Sequence, residues 1–136
     1  MSDGFETPQA AEDAYYDALE SRDAALMARV WDDSSDIACL LPMQPIVHGP
    51  QVHGLMRELL RSDVPIDIRV THIHWVTVGD VAIHYLQEHD NGPETPPDAP
   101  GIFATNVFRR GDAGWTMILH QNSPPPPPPD GPPPHP

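Results

Sequence analysis

The 136-residue sequence predicts an α+β domain in which three N-terminal helices pack on one face of a curved antiparallel sheet. Three observations carry that prediction. Apolar residues recur at helical spacing in three early segments, the period changes to two from Ile66 onward, and residues 101–124 read as two strands facing each other across Gly111-Asp112-Ala113-Gly114. Both arms of this hairpin are rich in β-branched and aromatic residues, and glycines at either end of the turn can take the positive φ that a short loop needs. Alternation puts Ile102, Ala104, Asn106 and Phe108 on one face and Phe103, Thr105 and Val107 on the other. Both faces are largely apolar, which a two-stranded ribbon cannot bury by itself. A larger sheet, a helical layer on one side and a second subunit on the other are therefore expected. Asn106 is the exception, a polar group in the middle of an apolar face.

The elements follow in order. Thr7 can cap a helix opened by Pro8, and Ala11, Ala14, Tyr15, Ala18 and Leu19 form its buried stripe. Asp23 begins a shorter helix whose stripe is Leu26, Met27, Val30 and Trp31, ended by the acidic run 32–36. A short strand at 37–41 stops at Pro42, and a second at 46–48 precedes the helix opened by Gly49-Pro50. That third helix carries Val52, Leu55, Met56, Leu59 and Leu60. In the strand that follows, strict alternation puts Ile66, Ile68, Val70, His72, His74 and Val76 on one face, with Trp75 opposite. A turn at 78–80 leads into a strand at 81–89, and the proline-rich segment 90–100 is a surface loop.

Composition narrows the function. The formal net charge is -13, there is no lysine, and the seven arginines are dispersed, so nucleic acid and anionic membranes are not expected partners. No apolar run is long enough to span a membrane and the N-terminus lacks the features of a signal peptide, so a soluble cytoplasmic protein is expected. The lone Cys39 reads as a small buried hydrophobe. Residues 1–7 are expected to be a disordered N-terminus, 8–123 the folded domain and 124–136 a disordered proline-rich tail.

Several stretches resemble one superfamily: YYDALESRDAALMARVW at 15–31, CLLP at 39–42 followed by HG at 48–49, and ATNVF, GW and HQNSP in the last hairpin. With the order of elements, they are similar to the nuclear transport factor 2-like superfamily, in particular its SnoaL-like branch, over residues 10–124. The resemblance implies a cone whose strongly curved sheet encloses a pocket, and a homodimer through the sheet; the apolar faces of the strands place Trp75 among the expected contacts. It leaves the chemistry open, because this fold hosts isomerases, dehydratases, cyclases and binding modules.

Comparison with the ketosteroid isomerases of the superfamily implies an oxyanion donor at Tyr15, a second donor at Asn106, and a base position occupied here by Leu41. Leucine cannot take a proton, so ketosteroid isomerase activity proper is not expected. The ligand-binding set is expected to comprise Tyr15, Trp31, Leu41, His53, Met56, Asn106 and Gln121, with His72, His74 and His120 as candidate proton carriers. His72 and His74 share a face under strict alternation, but no third ligand lies at the short spacing of a metal site, so neither a metal nor an organic cofactor is expected. The expected function is a small-molecule pocket acting on a hydrophobic carbonyl or hydroxyl compound by dehydratase, isomerase or cyclase chemistry. The alternative is a non-catalytic ligand-binding or dimerisation module.

Overall fold

A computed structural model describes residues 4–63, 65–96 and 98–124. The first helix, α1 (Pro8–Ser21), begins where the Thr7 side chain accepts a hydrogen bond from the Ala10 N–H at 3.0 Å, and Pro8 occupies its first turn. It ends at Arg22, which takes the left-handed conformation (φ 58°). Asp23 then caps α2 (Ala24–Val30) by accepting from the Leu26 N–H at 3.0 Å. The remaining elements are β1 (Ala38–Leu40), β2 (Val47–His48), α3 (Gln51–Arg61), β3 (Ile68–Val78), β4 (Val81–Asp90), β5 (Ile102–Gly111) and β6 (Gly114–Ser123).

The three helices pack on a six-stranded, curved and open sheet of order β2-β1-β6-β5-β4-β3. The long strands are antiparallel as expected, but β1 runs parallel to β6, pairing Cys39 with His120, so the sheet is mixed. The core lies between helices and sheet: Ala11, Tyr15 and Ala18 of α1, Met27 and Val30 of α2, and Val52 and Met56 of α3 meet Cys39, Ala82, Phe108 and Met117.

Two local features differ from strict alternation. A bulge between His72 and His74 leaves Ile73 without a cross-strand partner, so His72 pairs with Leu86 and His74 with Tyr85. His72 therefore shares the inner face with buried Leu86, whereas His74 turns outward with exposed Tyr85. The same bulge carries Trp75 inward, where its ring stacks on His84 with centroids 4.1 Å apart and an interplanar angle of 1°. Trp75 is thus not an outer-face residue.

In the last hairpin only Gly114 takes positive φ, at 125°. A Cβ there would sit 2.6 Å from the Phe5 carbonyl oxygen, because Phe5 exchanges N–H···O bonds with Trp115. The N-terminal boundary is corrected accordingly: Phe5 is part of the fold. Residues 1–3 and 125–136, which hold most of the expected disordered ends, lie outside the described residues.

Candidate functional site

The inner face of the sheet carries an unusual density of polar side chains. Alternation sends His84 and Glu88 of β4, Asn106 of β5 and His120 and Asn122 of β6 toward α1. Register aligns them, with His84 opposite Asn106, Asn106 opposite His120, and Ala104 opposite Asn122. Helix α1 lays Glu12, Tyr15 and Tyr16 against this row. Glu12, His84, Glu88, Asn106, His120 and Asn122 are each at most 7% exposed, so their hydrogen bonds must be made internally.

They are. The Asn106 Nδ2 donates to Glu12 Oε2 at 3.0 Å and to the Tyr16 oxygen at 3.2 Å, while its Oδ1 accepts from His120 Nδ1 at 2.6 Å. Tyr16 donates to Glu88 Oε2 at 2.7 Å, and Asn122 Nδ2 donates to Glu88 Oε1 at 2.9 Å. Glu12 Oε2 also accepts from His84 Nδ1 at 2.6 Å, and His84 Nε2 lies 2.7 Å from Nδ1 of the exposed His72.

Amide orientation follows from these partners. Asn106 must turn its amino group to the Glu12 carboxylate and Asn122 must turn its own to the Glu88 carboxylate. Both side-chain carbonyls then face His120, whose Nε2 is 3.1 Å from Asn122 Oδ1. Both ring nitrogens of His120 thus face amide oxygens, and Glu88 Oε2 lies 3.6 Å from Nε2. Paired in this way, a buried carboxylate and imidazole avoid the large cost of isolated buried charge.

One end of the network opens on a cavity of about 440 Å³ lined by Tyr15, Leu19, Leu41, Pro42, Leu59, Ile66, Ile68, Pro100 and Ile102, with Glu88, His120 and Asn122 as polar wall and Gln44, Asp67 and Asp90 also lining it. The Tyr15 ring lies against His120, centroids 4.9 Å apart. Its hydroxyl has no protein partner among the described residues, although the side chain is only 1% exposed. Burial, then the nearby Cys39 and Glu88, raises the Tyr15 pKa well above its ordinary value, and burial followed by Glu88 does the same for Tyr16. Both phenols are therefore held as donors. Burial, with Glu88 adding to it, pushes the Cys39 thiol up to about 12. It is a packed thiol and not a nucleophile.

The sequence-expected residues divide. Tyr15, Leu41 and His120 line the cavity. Asn106 does not: it is 0% exposed, and both its polar atoms are engaged within the protein, so its role is to orient Glu12, Tyr16 and His120. Trp31, His53 and Met56 surround a separate void of about 30 Å³ between α2 and α3, the size for a water and too small for a cyclic ligand. Gln121 is exposed, on the opposite face of β6 from His120, as its pairing with Thr105 requires. His72 and His74 are parted by the bulge, and neither lines the cavity. No group of three or more metal-ligating side chains occurs among the described residues.

Sequence reasoning missed Glu12, Tyr16, Glu88 and Asn122. The signal for Glu88 was present: it ends the inward series Ala82, His84, Leu86, Glu88 in β4. Asn122 likewise alternates with His120.

Comparison with known proteins agrees with this architecture. The chain is similar to a Thiobacillus denitrificans protein assigned provisionally as a calcium/calmodulin-dependent protein kinase type II association domain, with 36% identity over 89% of this chain and 97% of that one and a TM-score of 0.80. A Streptomyces avermitilis protein of the NTF2-like family, assigned provisionally as a dehydratase, shares 26% identity over 85% and 91% of the two chains, with a TM-score of 0.73. An NTF2-like protein of unknown function from Pseudomonas putida matches in fold, with 16% identity over 85% and 82% and a TM-score of 0.71. No functionally curated protein matches the sequence. The SnoaL-like domain model matches residues 9–127, nearly the whole described chain, and the protein belongs to the SnoaL-like family of the NTF2-like superfamily.

Proposed function

We propose that the cavity binds an apolar carbonyl or hydroxyl compound and that Glu88 and His120 carry out cofactor-independent proton transfer on it, as a dehydratase. The observation that carries this reading is the convergence of Glu88, His120, Asn122 and the unpartnered Tyr15 hydroxyl at the polar wall of one apolar cavity. Tyr15 donates to the substrate carbonyl oxygen and stabilises the charge that develops there. Glu88, fixed by Tyr16 and Asn122, takes the proton from the carbon next to that carbonyl. His120, exchanging its longer Nε2 contact with Asn122 for the ligand, gives the Nε2 proton to the departing β-hydroxyl, which leaves as water, and the electron pair of the broken C–H bond becomes the new C=C bond. Leu41 holds the apolar wall, and the carboxylate absent from its position is supplied by β4. The provisional dehydratase assignment of the 26%-identical Streptomyces avermitilis protein favours elimination over isomerisation.

The test is turnover of apolar cyclic β-hydroxyketones, followed by the ultraviolet absorbance of the conjugated enone. Glu88→Gln should reduce it by about 10²-fold or more. If a compound shown to occupy the cavity is turned over as fast by Glu88→Gln as by the natural protein, the assignment of the base fails.

A second reading, self-association, is favoured by the outer face of the sheet. Ile73, Val78, Tyr85 and Phe103 are 49%, 67%, 41% and 36% exposed there. A homodimer through this face is compatible with catalysis in the cavity, which opens on the other side. The proposed setting is the cytoplasm; among the described residues no helix is long and apolar enough to cross a membrane.

A further inference from the structure

The cavity chemistry leaves one chain of polar groups unused, on the far side of Asn106. Glu12 and His84, 2% and 1% exposed, are joined by the 2.6 Å contact of His84 Nδ1 with Glu12 Oε2. The same oxygen accepts from the Asn106 amide at 3.0 Å. With its Nδ1 proton committed to Glu12, a neutral His84 turns the lone pair of Nε2 toward His72 Nδ1, 2.7 Å away. His72 is exposed, and no hydrogen bond joins its Nε2 to a described residue. Trp75 lies flat on His84, centroids 4.1 Å apart, which fixes the imidazole plane and favours a cation against the indole face.

None of Glu12, His72 and His84 lines the cavity. Glu12 lines instead an open groove of about 460 Å³ between α1 and β3, whose apolar floor is Ile68 and Val70. His72 follows these two on the same face of β3, because Ile68, Val70 and His72 pair in turn with Asp90, Glu88 and Leu86. Asp13 and Asp17 also line the groove, with Arg69 as the cation among its lining residues, so a neutral ligand suits it better than a carboxylate.

An exposed imidazole held by a buried imidazole, held in turn by a carboxylate, has the order nucleophile, base, orienting group. From it we propose that His72 is the nucleophile of a second catalytic site, which takes the acyl group of a neutral ester with a weakly basic leaving group, such as a phenyl ester, and passes it to water. His72 Nε2 attacks the acyl carbon while its Nδ1 proton moves to His84 Nε2, and the phenolate leaves with the electron pair of the broken C–O bond. Glu12 faces the imidazolium so formed on His84. Water then attacks the acyl-imidazole carbon, the C–N electron pair returns to His72 Nε2, and His84 gives the proton back to Nδ1. The acid departs as carboxylate, with one proton released to solvent. Glu12 is a positioning residue, since it touches His84 and not the ester. The leaving group is weakly basic because an exposed nucleophile lacks the water-excluded donors that would hold a tetrahedral oxyanion. This site is independent of the dehydratase reading of the cavity.

The probe is p-nitrophenyl acetate with the full chain, followed by p-nitrophenolate absorbance and, after an acid quench, by mass spectrometry that locates the acetyl group. His74, exposed and turned to the opposite face, is the internal control. His72 should be acetylated about 10²-fold faster than His74. Release of p-nitrophenolate should exceed one equivalent per chain, and His72→Gln should abolish turnover that His74→Gln leaves intact. Glu12→Gln, shown to be folded by urea denaturation, should bring acetylation of His72 down to the rate of His74; if that variant does not fold, the ratio of the two histidines in the natural protein decides. Equal acetylation of His72 and His74, release that stops at one equivalent, or turnover unchanged in His72→Gln would overturn the site, and a folded Glu12→Gln that acetylates His72 at the natural rate would overturn the role of Glu12. None of these results bears on the cavity.

Discussion

Replacing Asn106 by leucine should be among the most damaging single changes in the protein, and for a reason unrelated to ligand. Asn106 is 0% exposed and makes three side-chain hydrogen bonds, to Glu12, Tyr16 and His120. Leucine is of similar size, so the cavity term is small and the loss is polar. The His120 Nδ1–H is left without an acceptor, Tyr16 loses a donor, and the Glu12 carboxylate keeps only His84. An orphaned buried polar group costs about 1–3 kcal/mol, and weakening the support of a buried charge adds to that, so a loss of about 3–5 kcal/mol is expected. Against a typical domain stability of about 5–15 kcal/mol this is a large fraction. Urea denaturation at pH 7 should show the midpoint falling at unchanged slope. A loss below about 1 kcal/mol would mean that the network does not hold in solution as drawn.

Three further outcomes are expected. Burial raises the Asp32 pKa, but hydrogen bonds from Ser34, Thr116 and Arg109 outweigh it and hold the carboxyl at about 2, below its ordinary 3.8. Because the folded value is the lower one, this stabilisation is complete above about pH 4 and is lost as pH falls toward 2; Asp32→Asn should flatten that part of a urea-midpoint profile. Gly114→Ala should lower stability by about 1–3 kcal/mol, read as a fall in Tm, since φ is 125° and the new Cβ meets the Phe5 carbonyl oxygen at 2.6 Å; an unchanged Tm would show that the Phe5–Trp115 pairing is not formed. Sedimentation at about tens of micromolar should show a dimer that Tyr85→Asp dissociates, and a monomeric natural protein would remove the outer-face interface.

Much of the fold was legible because it is local. Helix stripes, the Thr7 and Asp23 caps and the alternation of β5 and β6 are all written in neighbouring residues. The bulge at Ile73 was not, because Ile73 is an ordinary strand residue in an ordinary strand, and a single slip reverses every face beyond it. That one residue moved His74 and Trp75 to the faces opposite those expected. The parallel pairing of β1 with β6 joins segments some eighty residues apart and leaves no local mark. At the site, Asn106 was visible as a polar residue on an apolar face, but its partners Glu12 and Tyr16 come from a helix whose rotation over the sheet no spacing rule fixes. Leu41 showed where a base is missing; only the assembled sheet showed that Glu88 stands at the same cavity.

In the proposed reaction Glu88 removes a carbon-bound proton from a compound whose oxygen is held in the cavity. Deuterium incorporation beside the carbonyl of a bound apolar ketone, 2-decalone in heavy water followed by proton NMR, tests it without knowledge of the natural substrate. Exchange well above the buffer rate is expected with the natural protein, lost in Glu88→Gln and Tyr15→Phe while Glu88→Gln still binds the ketone. Exchange at the buffer rate with the ketone bound in the cavity, or equal exchange in Glu88→Gln, would contradict it.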